Sequence, residues 1–317
     1  MNNFIYENRT KVYFGQGCVK EFLACLVRDA GNIMLAYGQG SVKRNGIYDE
    51  VLNILMKEGK HVTEFPGIMP NPTYQKVMEG ARLAREEKTE MILGVIVTTA
   101  GTGSECNGAA VITNEEQKVK TGHDYPKCNP AFALMDPAYT FSVPGGQMVS
   151  GAFDSLSHMM ETYFSEPDEQ NVSDEISEAL MRSVIKNIRQ AVRNPKDYTV
   201  RSNLLWSSAM SENRLIKLGK RCDFACHLME HQLSAYTGCS HSQGMSVLQP
   251  VYYRHIYRDG LDKFARFARN VWMIPEEGRN REELAEAGVH ALADLIRETG
   301  LPARLREIGI KGQGQLK

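Results

Sequence analysis

Hydrophobic and polar positions follow two different rhythms along this chain. As far as residue 145, short β-branched or apolar runs at 11–14, 32–36, 61–65 and 91–98 are separated by amphipathic stretches. That alternation predicts parallel strands covered by helices, with helices over 43–58 and 73–86. Pro70-Asn71-Pro72 forms a stiff entry to the second of these, because a proline fixes its own φ and restricts the residue before it. From Gly146 onward the strand signal disappears. Residues 172–192, 202–218 and 260–271 instead carry apolar positions at the 3.6-residue helical period. Pro137 and Val143-Pro144-Gly145-Gly146 mark the change of rhythm, and 275–281 reads as a loop between late helices. The expectation is an α/β domain over 1–145 and an all-α domain over 146–317, with no repeat and no low-complexity tract.

Composition adds exclusions rather than detail. At 317 residues the chain exceeds the roughly 250–300 at which single cores stop growing, which agrees with two domains. Lys plus Arg (37) nearly cancels Asp plus Glu (38), so nothing attracts nucleic acid or an anionic membrane. No stretch approaches the ~20 apolar residues of a membrane span. The opening MNNFIYENRTKVYFG lacks the basic flank and apolar run of a signal peptide, and the expected location is cytoplasmic. Seven cysteines, odd in number and without a CxxC pair, read as reduced thiols.

The candidate chemistry lies in the second half. Asp154 and His158 stand four apart and share one helix face, a geometry that suits either one ion or an exposed pair. His227, His231 and His241 place three of the eight histidines within fifteen residues. On one continuous helix His227 and His241 would stand about 21 Å apart, so sharing an ion requires the helix to stop between them. Thr237-Gly238-Cys239-Ser240 supplies that stop, since glycine adopts the left-handed C-terminal conformation readily. One carboxylate and three imidazoles suit Zn(II), Fe(II) or Ni(II). A thiolate zinc site from Cys222, Cys226, His227 and His231 is an alternative, although its helical spacings do not match the usual short cysteine loops. His231 is either a core histidine or a proton-handling group. His61, His123, His255 and His290 read as isolated structural or surface residues.

With these segments stand Thr10-Lys-Val-Tyr-Phe-Gly15, Tyr37-Gly-Gln-Gly-Ser41, Pro70-Asn-Pro72, Thr98-Thr-Ala-Gly-Thr-Gly-Ser-Glu105 and Asp136-Pro137. Over nearly its whole length the chain resembles the iron-containing (group III) alcohol dehydrogenase family, in particular its NAD(P)H-dependent butanol dehydrogenase branch. The resemblance implies a Rossmann-like nucleotide domain followed by a helical metal-binding domain, in the dehydroquinate synthase-like architecture. It maps the metal ligands onto Asp154, His158, His227 and His241, with Fe(II) or Zn(II) expected and Ni(II) also suited. It further implies hydride transfer between NAD(P)(H) and a small, butanol-like primary alcohol or aldehyde, with His231 relaying the proton and the chain acting as a homodimer. The implied cofactor residues are Gly38, Gln39, Gly40, Ser41, Asn71, Thr98, Thr99, Thr102, Ser104 and Lys120. The Gly38–Ser41 turn contains no carboxylate to repel a 2′-phosphate, which favours NADP(H) over NAD(H). Lys43 and Arg44 stand just after it and add charge. Without the resemblance Lys120 reads as a surface lysine.

In one place the chain departs from the family pattern. The run at 91–95 is expected to lead into a Gly-Gly-Gly-Ser turn that cradles the cofactor diphosphate, followed by a helix and strand, but it passes directly to Ile96-Val-Thr-Thr99. Several dozen residues are absent, and Gly94-Val95-Ile96-Val97 reads as two strands fused into one. The C-terminal residues 309–317 end earlier than the pattern and are expected to fray. Ser242 replaces the glycine that follows the last metal histidine. The leading expectation is therefore an alcohol or aldehyde oxidoreductase. A metal-binding remnant that no longer holds a dinucleotide well and a metal-dependent hydrolase or lyase are the other readings, with glycerol dehydrogenase-like and dehydroquinate synthase-like activities more remote.

Overall fold

The computed structural model describes residues 1–90 and 93–310, and the chain divides into two compact units. One comprises Arg9–Thr98 and Ser104–Ser142; the other comprises Met1–Asn8, Thr99–Gly103 and the chain from Val143 onward. Of the tail expected at 309–317, residues 311–317 lie outside the described residues.

The first unit runs β1 (Lys11–Phe14), α1 (Cys18–Leu26), β2 (Asn32–Ala36), α2 (Ser41–Arg44), α3 (Ile47–Lys57), β3 (His61–Phe65), α4 (Tyr74–Glu86), β4 (Gly94–Ile96), β5 (Ala109–Asn114), β6 (Val119–Asp124) and β7 (Phe132–Met135). The helix expected over 43–58 is in fact two. Gly46 takes φ 80° at the start of α3, a left-handed conformation that favours glycine, and the chain breaks there. Thr73 caps α4 by accepting from Lys76 N at 3.2 Å, yet α4 buries none of its residues.

The parallel strands form two separate sheets, β1-β7-β4 and β2-β3. The reason lies at the predicted 91–98 strand, of which only Gly94–Ile96 is strand and Met91 and Ile92 lie outside the described residues. Glu90 N donates to Asn32 O of β2 at 3.1 Å, whereas Leu93 O accepts from Ala131 N, beside β7, at 2.7 Å. Glu90 thus lies beside β2 and Leu93 beside the residue that leads into β7. Between the diverging strands a cavity of about 250 Å³ is lined by Ile33 and Leu35 of β2, Leu93, Ile96 and Phe132, with Leu23 and Val51 from the covering helices. Gly94 is required at the crossing, since a Cβ there would stand 2.1 Å from the Phe132 ring.

The sequence pattern missed the antiparallel β5–β6 hairpin. Its strands are largely exposed, and the inward positions are polar, Thr113 on β5 and Lys120 on β6. An apolar alternation has nothing to register there.

The second unit is helical: α5 (Gly145–Tyr163), α6 (Val172–Arg193), α7 (Tyr198–Glu212), α8 (Ala225–Thr237), α9 (His241–Ile256), α10 (Leu261–Asn270) and α11 (Arg281–Glu298). Among the described residues no strand follows β7. The expected 202–218 helix begins earlier, capped by Asp197, and ends at Glu212, with a separate 3₁₀ turn at Leu215–Lys217. Asn171 caps α6, and Asn280 with Glu283 forms a capping box on α11. Asp174, fully buried at the start of α6, lies 2.9 Å from Lys220 Nζ and also binds Lys263 of α10, which compensates a charge that would be costly to bury alone.

Candidate metal centre and cofactor residues

Helix α5 presents Asp154, His158 and Glu161 on one face at the four- and three-residue spacings of neighbouring turns. Helix α8 carries His227 and His231 one turn apart, then stops at Gly238, whose φ of 70° lets its N–H return to Ser234 O at 2.8 Å. Helix α9 then opens on His241. The expected reversal thus occurs, and the His227 and His241 rings lie 5.1 Å apart between centroids, with His158 stacked 4.6 Å from His227. One ligand atom from each of Asp154, His158, His227 and His241 falls within 4.8 Å of all the others. His241 Nε2 stands 3.3 Å from Asp154 Oδ1, close to the edge of a tetrahedron with metal–ligand bonds of about 2.0–2.2 Å.

The donors are prepared for a cation. Burial pushes His158 down to about 3 and His227 well below the ordinary value, so both imidazoles are neutral at pH 7 and keep a lone pair for an ion. Asp154 Oδ1 and His227 Nε2 are buried without a hydrogen-bond partner, an arrangement that a shared divalent ion satisfies. The four residues therefore fit the expected metal. Glu161 accepts from Cys226 N at 2.7 Å and His227 N at 3.0 Å and also meets His227 Nδ1, while burial raises its carboxyl to about 7. The alternative thiolate site is not assembled: among the described residues, neither Cys222 nor Cys226 joins His227 and His231 in a group of potential ligand atoms within 4.8 Å of one another. All seven cysteines are free.

The expected cofactor residues fall into separate groups. Gly38, Gln39 and Gly40 follow β2, with Gly38 O accepting from Gly67 N at 3.1 Å, and Ser41 opens α2. That helix has only four residues and carries Lys43 and Arg44 in its last turn. Lys43 is engaged as well: its Nζ lies 3.0 Å from Glu64 Oε2 and 4.2 Å from the centre of the Tyr48 ring. Glu64, from β3, also accepts from Tyr37, and that hydrogen bond leads in holding its carboxyl down at about 2. The turn has no carboxylate of its own, yet the fold brings one beside it.

Asn71 and Lys120 are linked through β5. Pro72 O accepts from Thr113 N at 2.9 Å, and Thr113 is the register partner of Lys120. Lys120 is buried, not a surface lysine. Thr98 lines the cavity beside β2 with Tyr37. Ser104 begins the 3₁₀ turn Ser104–Cys106.

Thr99 and Thr102 belong to the helical unit, in a loop packed against its helices. Gly101 N donates to Ser208 Oγ at 2.7 Å, and Ser155 Oγ donates to Gly101 O at 2.9 Å. A Cβ on Gly101 would stand 3.9 Å from Asp154 Oδ2, and one on Gly151 would strike Ala100 O at 2.1 Å. Paired glycines thus bring this loop to the edge of the metal cluster. Sequence reasoning did not single out Glu161 or Glu230, although Glu161 follows His158 by three residues and Glu230 immediately precedes His231.

Profiles of known families match nearly the whole chain. The iron-containing alcohol dehydrogenase profile matches residues 9–95 and 93–137, and the C-terminal profile of the Fe-containing alcohol dehydrogenase family matches 148–315. The first match breaks at 93–95, where the chain crosses from β2 to β7. NADH-dependent butanol dehydrogenase A of Clostridium acetobutylicum is 33% identical over 351 aligned positions, covering 98% of this chain and 90% of that protein. An NADPH-dependent aldehyde reductase of Escherichia coli is 28% identical over 98% of this chain and 90% of its own length. The solved structure of NADH-dependent butanol dehydrogenase A from Thermotoga maritima matches with a TM-score of 0.93 and 32% identity, over 98% of this chain and 88% of that one.

Proposed function

This chain belongs to the iron-containing alcohol dehydrogenase family, and from that premise we propose that Asp154, His158, His227 and His241 hold the divalent ion at which it interconverts a small primary alcohol and its aldehyde. It is an oxidoreductase acting on CH–OH donors, of the butanol dehydrogenase-like branch. The single observation that carries the site assignment is the convergence of those four ligand atoms, two of them buried and without a hydrogen-bond partner.

When bound, the ion supplies Lewis-acid stabilisation of charge on the substrate oxygen, with Zn(II) or Fe(II) as the proposed occupant. A nicotinamide dinucleotide supplies or accepts the hydride. The chain's own part is to hold the neutral imidazoles and to place the Thr99–Thr102 loop beside Asp154. It also provides a proton carrier in His231, buried one turn along α8 from His227 with its ring 5.6 Å from that of His241. Gly38–Ser41, Asn71, Thr98, Thr99, Thr102, Ser104 and Lys120 are the proposed cofactor residues. With Lys43 engaged by Glu64, a carboxylate rather than an unpaired cation stands beside the Gly38–Ser41 turn. On that ground the proposed dinucleotide is NAD(H), where the turn's sequence favours NADP(H). A homodimer is the proposed assembly.

A second reading, a metal-binding protein with impaired turnover, is favoured by one observation: the cavity between β2 and β4, where the diphosphate-binding turn is missing. Calorimetric binding of NADH and NADPH, with butyraldehyde reduction assayed in the presence of added Zn(II) or Fe(II), separates the two. The enzyme reading expects measurable NADH binding and turnover. Bound metal with neither dinucleotide bound would establish the second reading.

A further inference from the structure

Two carboxylates outside the ligand set approach its imidazoles from behind. Glu161, one turn beyond His158 on α5, meets His227 Nδ1; Glu230, fully buried on α8, meets His241 Nδ1. In both contacts Nδ1 is the nitrogen engaged, and Nε2 is the second nitrogen of each ring. His227 Nε2 is buried without a hydrogen-bond partner, and His241 Nε2 stands 3.3 Å from Asp154 Oδ1.

We propose that Glu161 and Glu230 are positioning residues that hold His227 and His241 as their Nδ1–H tautomers, so that both Nε2 lone pairs aim at a single divalent ion. The inference rests on the metal-centre reading above. A carboxylate that accepts the Nδ1 proton fixes the ring's tautomer and orientation and makes Nε2 a better donor.

The two carboxylates differ in what else they do. Helix α8 starts from Phe224, which is left-handed at φ 50° and supplies no side-chain cap. Glu161 satisfies the orphan N–H groups of Cys226 and His227 at the α8 N-terminus from another helix. The group that orients His227 therefore also anchors the helix that carries it. Glu230 depends instead on Gly244, one turn into α9, where a Cβ would stand 2.8 Å from both Glu230 Cγ and Oε1. The absent side chain at 244 gives the Glu230 carboxylate its room beside His241.

Glu230, His231 and His241 also bring three potential ligand atoms within 4.8 Å of one another. If Glu230 were itself a ligand, the chain would hold two ions. As a positioning residue it leaves the stoichiometry at one.

The test uses the full chain, prepared metal-free and titrated with zinc against a chromophoric chelator, with histidine tautomers read by long-range ¹H–¹⁵N correlation. Wild type is expected to bind one zinc per chain, with His227 and His241 protonated at Nδ1. Glu230→Gln keeps an acceptor but loses the charge and is expected to weaken zinc about tenfold, and Glu230→Ala up to about a hundredfold. Gly244→Ala, which displaces the carboxylate without altering it, is expected to fall in the same range and guards against a folding artefact at position 230. Unchanged zinc affinity and an unchanged His241 tautomer in both Glu230→Gln and Gly244→Ala would overturn the positioning role alone. Two zinc ions per wild-type chain, one lost in Glu230→Ala, would overturn it in favour of a ligand role. A wild-type chain that binds no zinc overturns the metal-centre reading and the inference with it.

Discussion

In the helical unit 32 buried apolar residues form one continuous cluster among the described residues, and the candidate metal ligands stand on helices embedded in it. The α/β unit has a corresponding cluster of nine, beside a cavity of about 250 Å³ between two strand edges. The contrast follows from how each element satisfies its backbone. A helix closes its hydrogen bonds within itself. A strand inside a sheet depends on both neighbours, and removing one leaves two edges with unpaired N–H and C=O groups and no surface to close against. The parallel strands here form two sheets, β2-β3 and β1-β7-β4. The imidazole cluster is built wholly from α5, α8 and α9.

If that separation holds, the largest effect should come from the helical side alone. His227→Ala is expected to abolish tight zinc binding and to lower aldehyde reduction by roughly three orders of magnitude, while leaving NADH affinity unchanged. Parallel zinc and NADH titrations of the purified variant check both. A loss of NADH binding in that variant would break the comparison.

The next effect lies in the α/β unit, where burial raises the Glu105 carboxyl from 4.5 to about 7. Its folded value lies above its unfolded one, so the native state binds the extra proton between those values. The contribution of Glu105 to stability is fully present below about pH 4.5 and is lost as pH rises through about 7. Glu105→Gln removes this slope and is expected to stabilise the chain on the order of 3 kcal/mol at pH 8 with little change at pH 4. Urea unfolding at the two pH values reads the difference, and an equal effect at both would rule out ionisation as its cause.

A smaller change sharpens the contrast directly. Grafting the missing Gly-Gly-Gly-Ser turn, helix and strand of a relative after Val95 is expected to close the cavity between β2 and β4. It should raise NADH affinity at least about tenfold by restoring a diphosphate site at a full-length helix N-terminus. Zinc affinity should stay where it was, and calorimetry of both ligands decides whether the two sites are independent.

Three strands, β1, β2 and β3, were legible from the sequence to the residue, because β-branched and apolar runs bounded by turn residues admit few alternatives. The stop at Gly238 was equally legible, since an intervening glycine is what allows His241 to return toward His227. The β5–β6 hairpin was not, because its inward residues are Thr113 and Lys120 and carry no apolar period. Glu64 was also out of reach, since its meeting with Lys43 spans 21 residues and two elements.

By itself the sequence carried the family, the proposed ligand set Asp154, His158, His227 and His241, and the division into an α/β part and a helical part. Each of these is written in local spacing or in the order of motifs, and both survive as a one-dimensional pattern. Only the tertiary structure decided that the sheet is split, that Lys120 is buried, and that Glu161 and Glu230 meet two of the candidate metal histidines. Glu161 reaches His227 across 66 residues and Glu230 reaches His241 across 11. Contacts of that kind depend on how helices pack, and no periodicity along the chain records which polar side chain a neighbouring helix will bring to an imidazole.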